Sequence, residues 1–238
     1  MNTSRKIAII VGVLFLTATV AGVFGGMLTR AFGGPSNAPD YLSNIFANEN
    51  QLIIGSLFII IMGFAAAGIG ITMYPVLKKQ SEALAFGFAA FRIIEGVLFS
   101  VSVVGILSIL TLSQEFVKAG VPVASHFQTL GILLKDGQYW AYHVGTISFC
   151  FAAAMFYYSL YQSKLIPRWL SGWGLIGVPL WLAACLLAVF GSSSGIQPLL
   201  YLPIGLNEMV LAIWLIVKGF NPSAIASGSA KTDMNEIK

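Results

Sequence analysis

Apolar residues run along this chain in long unbroken blocks separated by short polar stretches. The blocks cover roughly 7–28, 52–76, 83–112, 139–162, 166–190 and 198–218. Each is long enough to cross a hydrocarbon core of ~30 Å as a helix. A membrane β-barrel would instead read as alternating segments of ~10 residues, and no such alternation is present. The pattern predicts an all-α fold, a polytopic membrane protein built as a bundle of about six transmembrane helices. The third block is too long for one perpendicular crossing, so it must tilt, kink or project from the bilayer.

Between the blocks lie two longer polar stretches. Residues 30–50, rich in Gly, Pro, Ser and Asn, read as an irregular exposed loop. Within 113–138, Phe127, Leu130, Gly131 and Leu134 fall on one helical stripe, and the segment 122–135 is a candidate interfacial helix. The first block exceeds the ~7–15 apolar residues of a signal-peptide core and reads as a retained first helix. Residues 1–220 form a single transmembrane domain on this reading. Residues 221–238, small and polar, read as a disordered cytoplasmic tail.

Composition narrows the class further. Of the 238 residues, 57% are hydrophobic and 9% charged, against about 25% charged in soluble domains. The lipid bilayer is therefore the first partner. The net charge of +4 does not point to nucleic acid, because no basic run exceeds two residues. With both termini inside, the cytoplasmic set is Arg5, Lys6, Lys78, Lys79, Lys164, Arg168, Lys218, Lys231 and Lys238, against Arg30, Lys118 and Lys135 opposite. This bias predicts cytoplasmic termini. Trp140, Trp169 and Tyr139 fall near span ends, where amphipathic rings favour the interface. Small residues spaced for close helix packing occur at Ala18, Gly22 and Gly26 in the first span, and at Gly63, Ala66, Ala67 and Gly70 in the second. Such stripes leave room for a homo-oligomer or a partner membrane protein as well as for internal packing. Pro179 and Pro203 should bend the last two spans or free backbone carbonyls.

Ionisable groups inside spans cost roughly 2.5–3.5 kcal/mol each at a helix centre on insertion scales and mark functional sites by default. Here they are Arg92 and Glu95 in the third span, His143 in the fourth, and Glu208 beside Asn207 in the sixth. At 1.5 Å per residue, Arg92, Glu95 and Glu208 lie at one level, about 13–18 Å deep. An Arg92–Glu208 bridge between the third and sixth spans, with Glu95 on the same side, is the expected arrangement, since an unpaired buried charge is far costlier than a paired one. His143 falls on the route from the outer face. The five form a candidate binding site for a small molecule, an ion or a proton.

Signatures of catalysis are lacking. No zincin, nucleophile-elbow, P-loop or C-x-x-C pattern occurs, no cofactor or metal is indicated, and Cys150 and Cys185 read as small hydrophobes. One histidine in a span does not support bis-histidine haem ligation.

Four segments are more distinctive: "YPVLKK" (74–79), "FRIIEGVLF" (91–99), "YSLYQSKLIPRWLSGWGLIG" (158–177) and "LNEMVLAIWLIVKGF" (206–220). Together they resemble a bacterial family of small integral membrane proteins, domain of unknown function 4386, over nearly the whole chain. The resemblance implies a multi-span helical bundle in a bacterial membrane and supplies no activity and no site residues. Three function classes follow from the residues: binding or transport at the Arg/Glu cluster, a structural, sensory or accessory role in which that cluster only holds helices together, and, ranked last, an enzyme using a buried carboxylate.

Overall fold

The computed structural model describes residues 3–29, 40–119, 124–191 and 195–226. Every regular element among them is helical: α1 (Thr3–Leu28), α2 (Tyr41–Ala47), α3 (Glu49–Leu77), α4 (Glu82–Ala119), α5 (Ala124–Ser163), α6 (Arg168–Val189) and α7 (Gln197–Val217). All but α2 are long and apolar enough to cross a membrane. The long helices form a ring in chain order: α1 packs on α3, α3 on α4, α4 on α5, α5 on α6, α6 on α7, and α7 returns to α1. Short connections such as 78–81 and 164–167 turn the chain back on itself, so consecutive spans are antiparallel.

Glycines set how closely the ring closes. A Cβ at Gly63 would lie 3.0 Å from the Gly96 carbonyl oxygen, and one at Gly96 only 2.6 Å from the Gly63 oxygen, so α3 and α4 touch backbone to backbone. Close approach of this kind is how helices gain packing energy where lipid offers no hydrophobic drive. Gly12 plays the same part where α1 crosses α7, its Cβ position lying 2.7 Å from the Ala212 oxygen. Beside that crossing Arg5 donates hydrogen bonds to the carbonyls of Leu215, Ile216 and Val217 at 3.1, 2.6 and 3.1 Å. A cation at the end of a helix satisfies orphan carbonyls and the negative end of its dipole together. The first-span stripe works differently from expectation. Gly22 meets α3 as expected, its Cβ position lying 2.8 Å from the Met62 sulfur. One turn on, however, it is Gly25, facing Gly55 and Ile59 of α3, that makes the close approach, whereas a Cβ at Gly26 would meet nothing within 4 Å.

Two sequence expectations are corrected. The segment 122–135 is not a separate interfacial helix: from Ala124 it is the first third of α5, which runs without a break to Ser163. Its apolar stripe packs against protein, with Phe127 and Leu134 on a cluster that includes Tyr41, Leu42, Ile45 and Ile109. The segment 30–50 is not wholly loop either, because α2 places Tyr41, Leu42 and Ile45 in that same cluster. At 38 and 40 residues, α4 and α5 extend about 57 and 60 Å, well beyond a ~30 Å core. Their far ends form a projecting hairpin braced by α2. There the Lys135 ammonium sits 5.1 Å from the Tyr41 ring centre, and burial pushes the Tyr41 hydroxyl above the usual phenol range.

Past the last span the chain stays docked for a few residues. The Asn221 amide donates to the Leu165 oxygen at 2.9 Å, residues 222–226 form a helical turn, and Ala224 is buried. The remainder of the expected tail, 227–238, lies outside the described residues.

Candidate functional site

Arg92 is placed by both of its neighbouring helices. Gly70 on α3 leaves the space that the Arg92 Cβ occupies, 2.9 Å from where a side chain at Gly70 would begin. The guanidinium then reaches across, and its Nε donates to the Ala66 carbonyl at 3.1 Å. One turn along α4, Glu95 closes an ion pair with it at 3.1 Å, the i,i+3 spacing putting both on one face. The rings of Phe15 from α1 and Phe149 from α5 lie 6.0 and 5.6 Å from the guanidinium carbon, within cation–π range. Arg92 and Glu95 are 4% and 5% exposed, so this pair is desolvated. Glu95 Oε2, although ion-paired, takes no hydrogen bond and is shielded from solvent.

Glu208 comes to the same level from α7. It lies about 14 Å along α7 from Val217, as Arg92 lies about 15 Å along α4 from Glu82, and the two helices run oppositely. The expected Arg92–Glu208 bridge is not formed: among the described residues Arg92 pairs only with Glu95, and Glu208 has no ion-pair or hydrogen-bond partner. The reason is local. Ala66 and Glu95 are within immediate reach of the Arg92 stem, whereas Glu208 stands on the opposite wall. The two carboxylates and the guanidinium nevertheless share one electrostatic field.

What separates these walls is a cavity of about 450 Å³. Arg92, Glu95 and Glu208 form its floor. Phe15, Phe99, Tyr142, Phe149, Trp181 and Tyr201 form most of its sides. From the floor it extends away from the chain termini, between the outer halves of α1 and α7, past Val23, Leu202 and Leu206. These three residues are each more than half exposed, so the cavity is open at this end. The cavity lies between two hydrophobic clusters. One holds Phe15, Phe149, Phe156 and Leu211; the other holds Phe99, Val103, Ile106 and the α2 residues.

Two of the expected site residues are turned elsewhere. Asn207 is fully buried and donates to the Leu170 carbonyl at 2.9 Å, holding α7 to α6. His143 Nδ1 is 2.9 Å from the Tyr139 oxygen one turn earlier, and its ring sits 3.9 Å from the Tyr139 ring. Neither lines the cavity. The aromatic walls, of which only Tyr142 is suggested by its depth in the fourth span, carry a signal in the sequence. On α7, Tyr201, Gly205 and Glu208 recur at i, i+4 and i+7; on α4, Arg92, Glu95 and Phe99 at i, i+3 and i+7; on α5, Tyr142, Thr146 and Phe149 at i, i+4 and i+7. Each is one helical face. Cys150 and Cys185, far apart in sequence, face each other between α5 and α6 as buried free thiols. Among the described residues no group of His, Cys, Asp and Glu is arranged to hold a metal ion.

A ring of six membrane-length helices around a cavity floored by charges defines a polytopic α-helical membrane protein. Residues 10–219 match the model for Domain of unknown function (DUF4386), and the chain belongs to that family. No curated protein and no solved structure matches it.

Proposed function

We propose that this is a small-molecule binding or transport protein of the bacterial cytoplasmic membrane, with both termini cytoplasmic, and that the mid-depth cavity is its site. The observation carrying this reading is a cavity of about 450 Å³ with a carboxylate at its floor, Glu208, that among the described residues makes no ion pair or hydrogen bond. Small-molecule pockets commonly hold ~300–1,000 Å³ and combine apolar walls with a few placed polar groups. A fold selected only for packing would close such a space, since interiors are packed to crystal density. Arg92 and Glu95 are the fixed support, tied to α3 and to each other, and Glu208 is the group left to meet a ligand. His143 and Asn207 serve as positioning contacts for α5 and α7 on this reading. The positive-inside count supports the orientation.

The competing reading is a structural, sensory or accessory protein, favoured by the Arg92 tie between α3 and α4. Native mass spectrometry of the wild type and Glu208→Gln, purified from membranes, separates the two. A discrete small mass carried by the wild type and lost from an equally folded Glu208→Gln is the expected result. Two bare, equally stable proteins would return the cluster to a purely structural role.

A further inference from the structure

The cavity's chemistry selects among ligand classes, and this selection rests on the binding reading above. Its floor holds one guanidinium and two carboxylates, so the fixed groups carry a formal excess of one negative charge. The guanidinium is tied to Ala66 and Glu95 and flanked by Phe15 and Phe149, so its charge is already balanced by Glu95 and the second carboxylate tips the floor toward a cation rather than an anion. One acidic acceptor remains beside the Arg92–Glu95 pair: Glu208, which among the described residues has no ion-pair or hydrogen-bond partner. The walls above the floor are largely aromatic, with Tyr142, Trp181 and Tyr201 among the lining residues and the ring centres of the last two 4.6 Å apart. A carboxylate beneath aromatic faces is the arrangement that recognises organic ammonium groups, because the ring quadrupoles attract a cation that is too large to be hydrated tightly. A bare metal ion would need several oxygen ligands, and a neutral lipid tail would gain nothing from placing Glu208 here at its burial cost.

The way in also has a chemistry. Arg5 and Gly12 clamp α1 against the last turns of α7, while the outer half of α1 follows α3 through Gly25 and Gly55. Between the outer halves of α1 and α7 the mouth is bordered by Val23, Leu202 and Leu206, each more than half exposed. A solute already dissolved in the bilayer meets no charge until it reaches the floor. We propose that the site takes a lipophilic organic cation, an amine or quaternary onium with aromatic or alkyl bulk, entering sideways from the membrane between α1 and α7.

Equilibrium binding of tetraphenylphosphonium to the full chain in lipid nanodiscs tests this, with tetraphenylborate as the competitor of equal shape and opposite charge. Two variants accompany the wild type. Glu208→Gln removes the acceptor. Gly205→Leu fills the cavity from α7, where an added Cβ meets nothing within 4 Å and where replacing glycine favours the helix. The expected result is saturable tetraphenylphosphonium binding, weakened roughly tenfold or more by either change, with tetraphenylborate failing to compete. Equal competition by tetraphenylborate, or binding indifferent to Glu208→Gln, would overturn the assignment to cations. Wild type that binds no tetraphenylphosphonium would overturn it too. If native mass spectrometry still finds a Glu208-dependent neutral or anionic molecule in that case, the binding reading stands and only the ligand class falls. If it finds nothing, both fall.

Discussion

Arg92→Ala is expected to lower the stability of the folded bundle by about 3–5 kcal/mol, the usual consequence of stranding one half of a buried ion pair. The loss has three parts. Glu95, 5% exposed, is left without its counter-charge. The Ala66 carbonyl loses the Nε donor that joins α3 to α4. The Phe15 and Phe149 rings lose the cation between them. The double variant Arg92→Ala/Glu95→Ala should therefore be more stable than Arg92→Ala alone, because the stranded carboxylate goes with its partner. Cys150 and Cys185 are free and buried, so a thiol-reactive dye reports unfolding in detergent without any added label. Reversible titration with a denaturing detergent gives the free energies. A cost below about 1 kcal/mol for Arg92→Ala, a value typical of exposed pairs, would mean that the pair is not desolvated.

Gly96→Ala adds a single methyl group and is expected to cost about 1–3 kcal/mol, the range for overpacking a tight core. The new Cβ would stand 2.6 Å from the Gly63 oxygen and 3.3 Å from its carbonyl carbon. Both sides of that contact are backbone, so neither can rotate away, and α4 must move off α3 as a whole. Any such shift also stretches the Arg92 bond to Ala66, one helical turn along the same interface. Gly26→Ala is the matched control: nothing lies within 4 Å of its added Cβ, and alanine is favoured over glycine in a helix by up to about 1 kcal/mol. The same thiol-dye melts should place Gly96→Ala below wild type and Gly26→Ala at or above it. Equal melting of the two glycine variants would contradict the backbone contact between α3 and α4.

The spans were legible because hydropathy is local: a block of apolar residues identifies itself without reference to its neighbours. Depth was legible for the same reason, since 1.5 Å per residue brings Arg92, Glu95 and Glu208 to one level. Direction around the helix axis was not. In lipid the outward residues are as apolar as the inward ones, so hydropathy marks no face of α3, and only its small residues Gly63, Ala66 and Gly70 point to the side that meets α4. That is why Arg92 could be assigned to Glu208 when it leans to α3, and why Asn207, next to Glu208, could be counted into a cavity from which it points away. The hairpin ends failed differently. The stripe of Phe127 and Leu134 looks like a membrane-surface face, because the partners that cover it, α2 and the end of α4, are distant in sequence or short and polar on their outer side. Gly25 escaped notice because its neighbour Gly26 continued the four-residue rhythm of Ala18 and Gly22, although of the two neighbours Gly25 is the one that meets α3.

The contact between Arg5 and the end of α7 joins residues 210 and more positions apart, and this has a consequence for biogenesis. At about 5–20 residues per second, the first helix waits on the order of 10–40 s in the membrane before the last one is synthesised. Through that interval the Gly12 face and the whole cavity stand open to lipid, with Arg92, Glu95 and then Glu208 arriving one after another. The ring is thus an unfinished sheet of helices until its final span inserts. A chain truncated before Leu215 has no carbonyls for Arg5 to hold, so the ring closes only once the last span is in place.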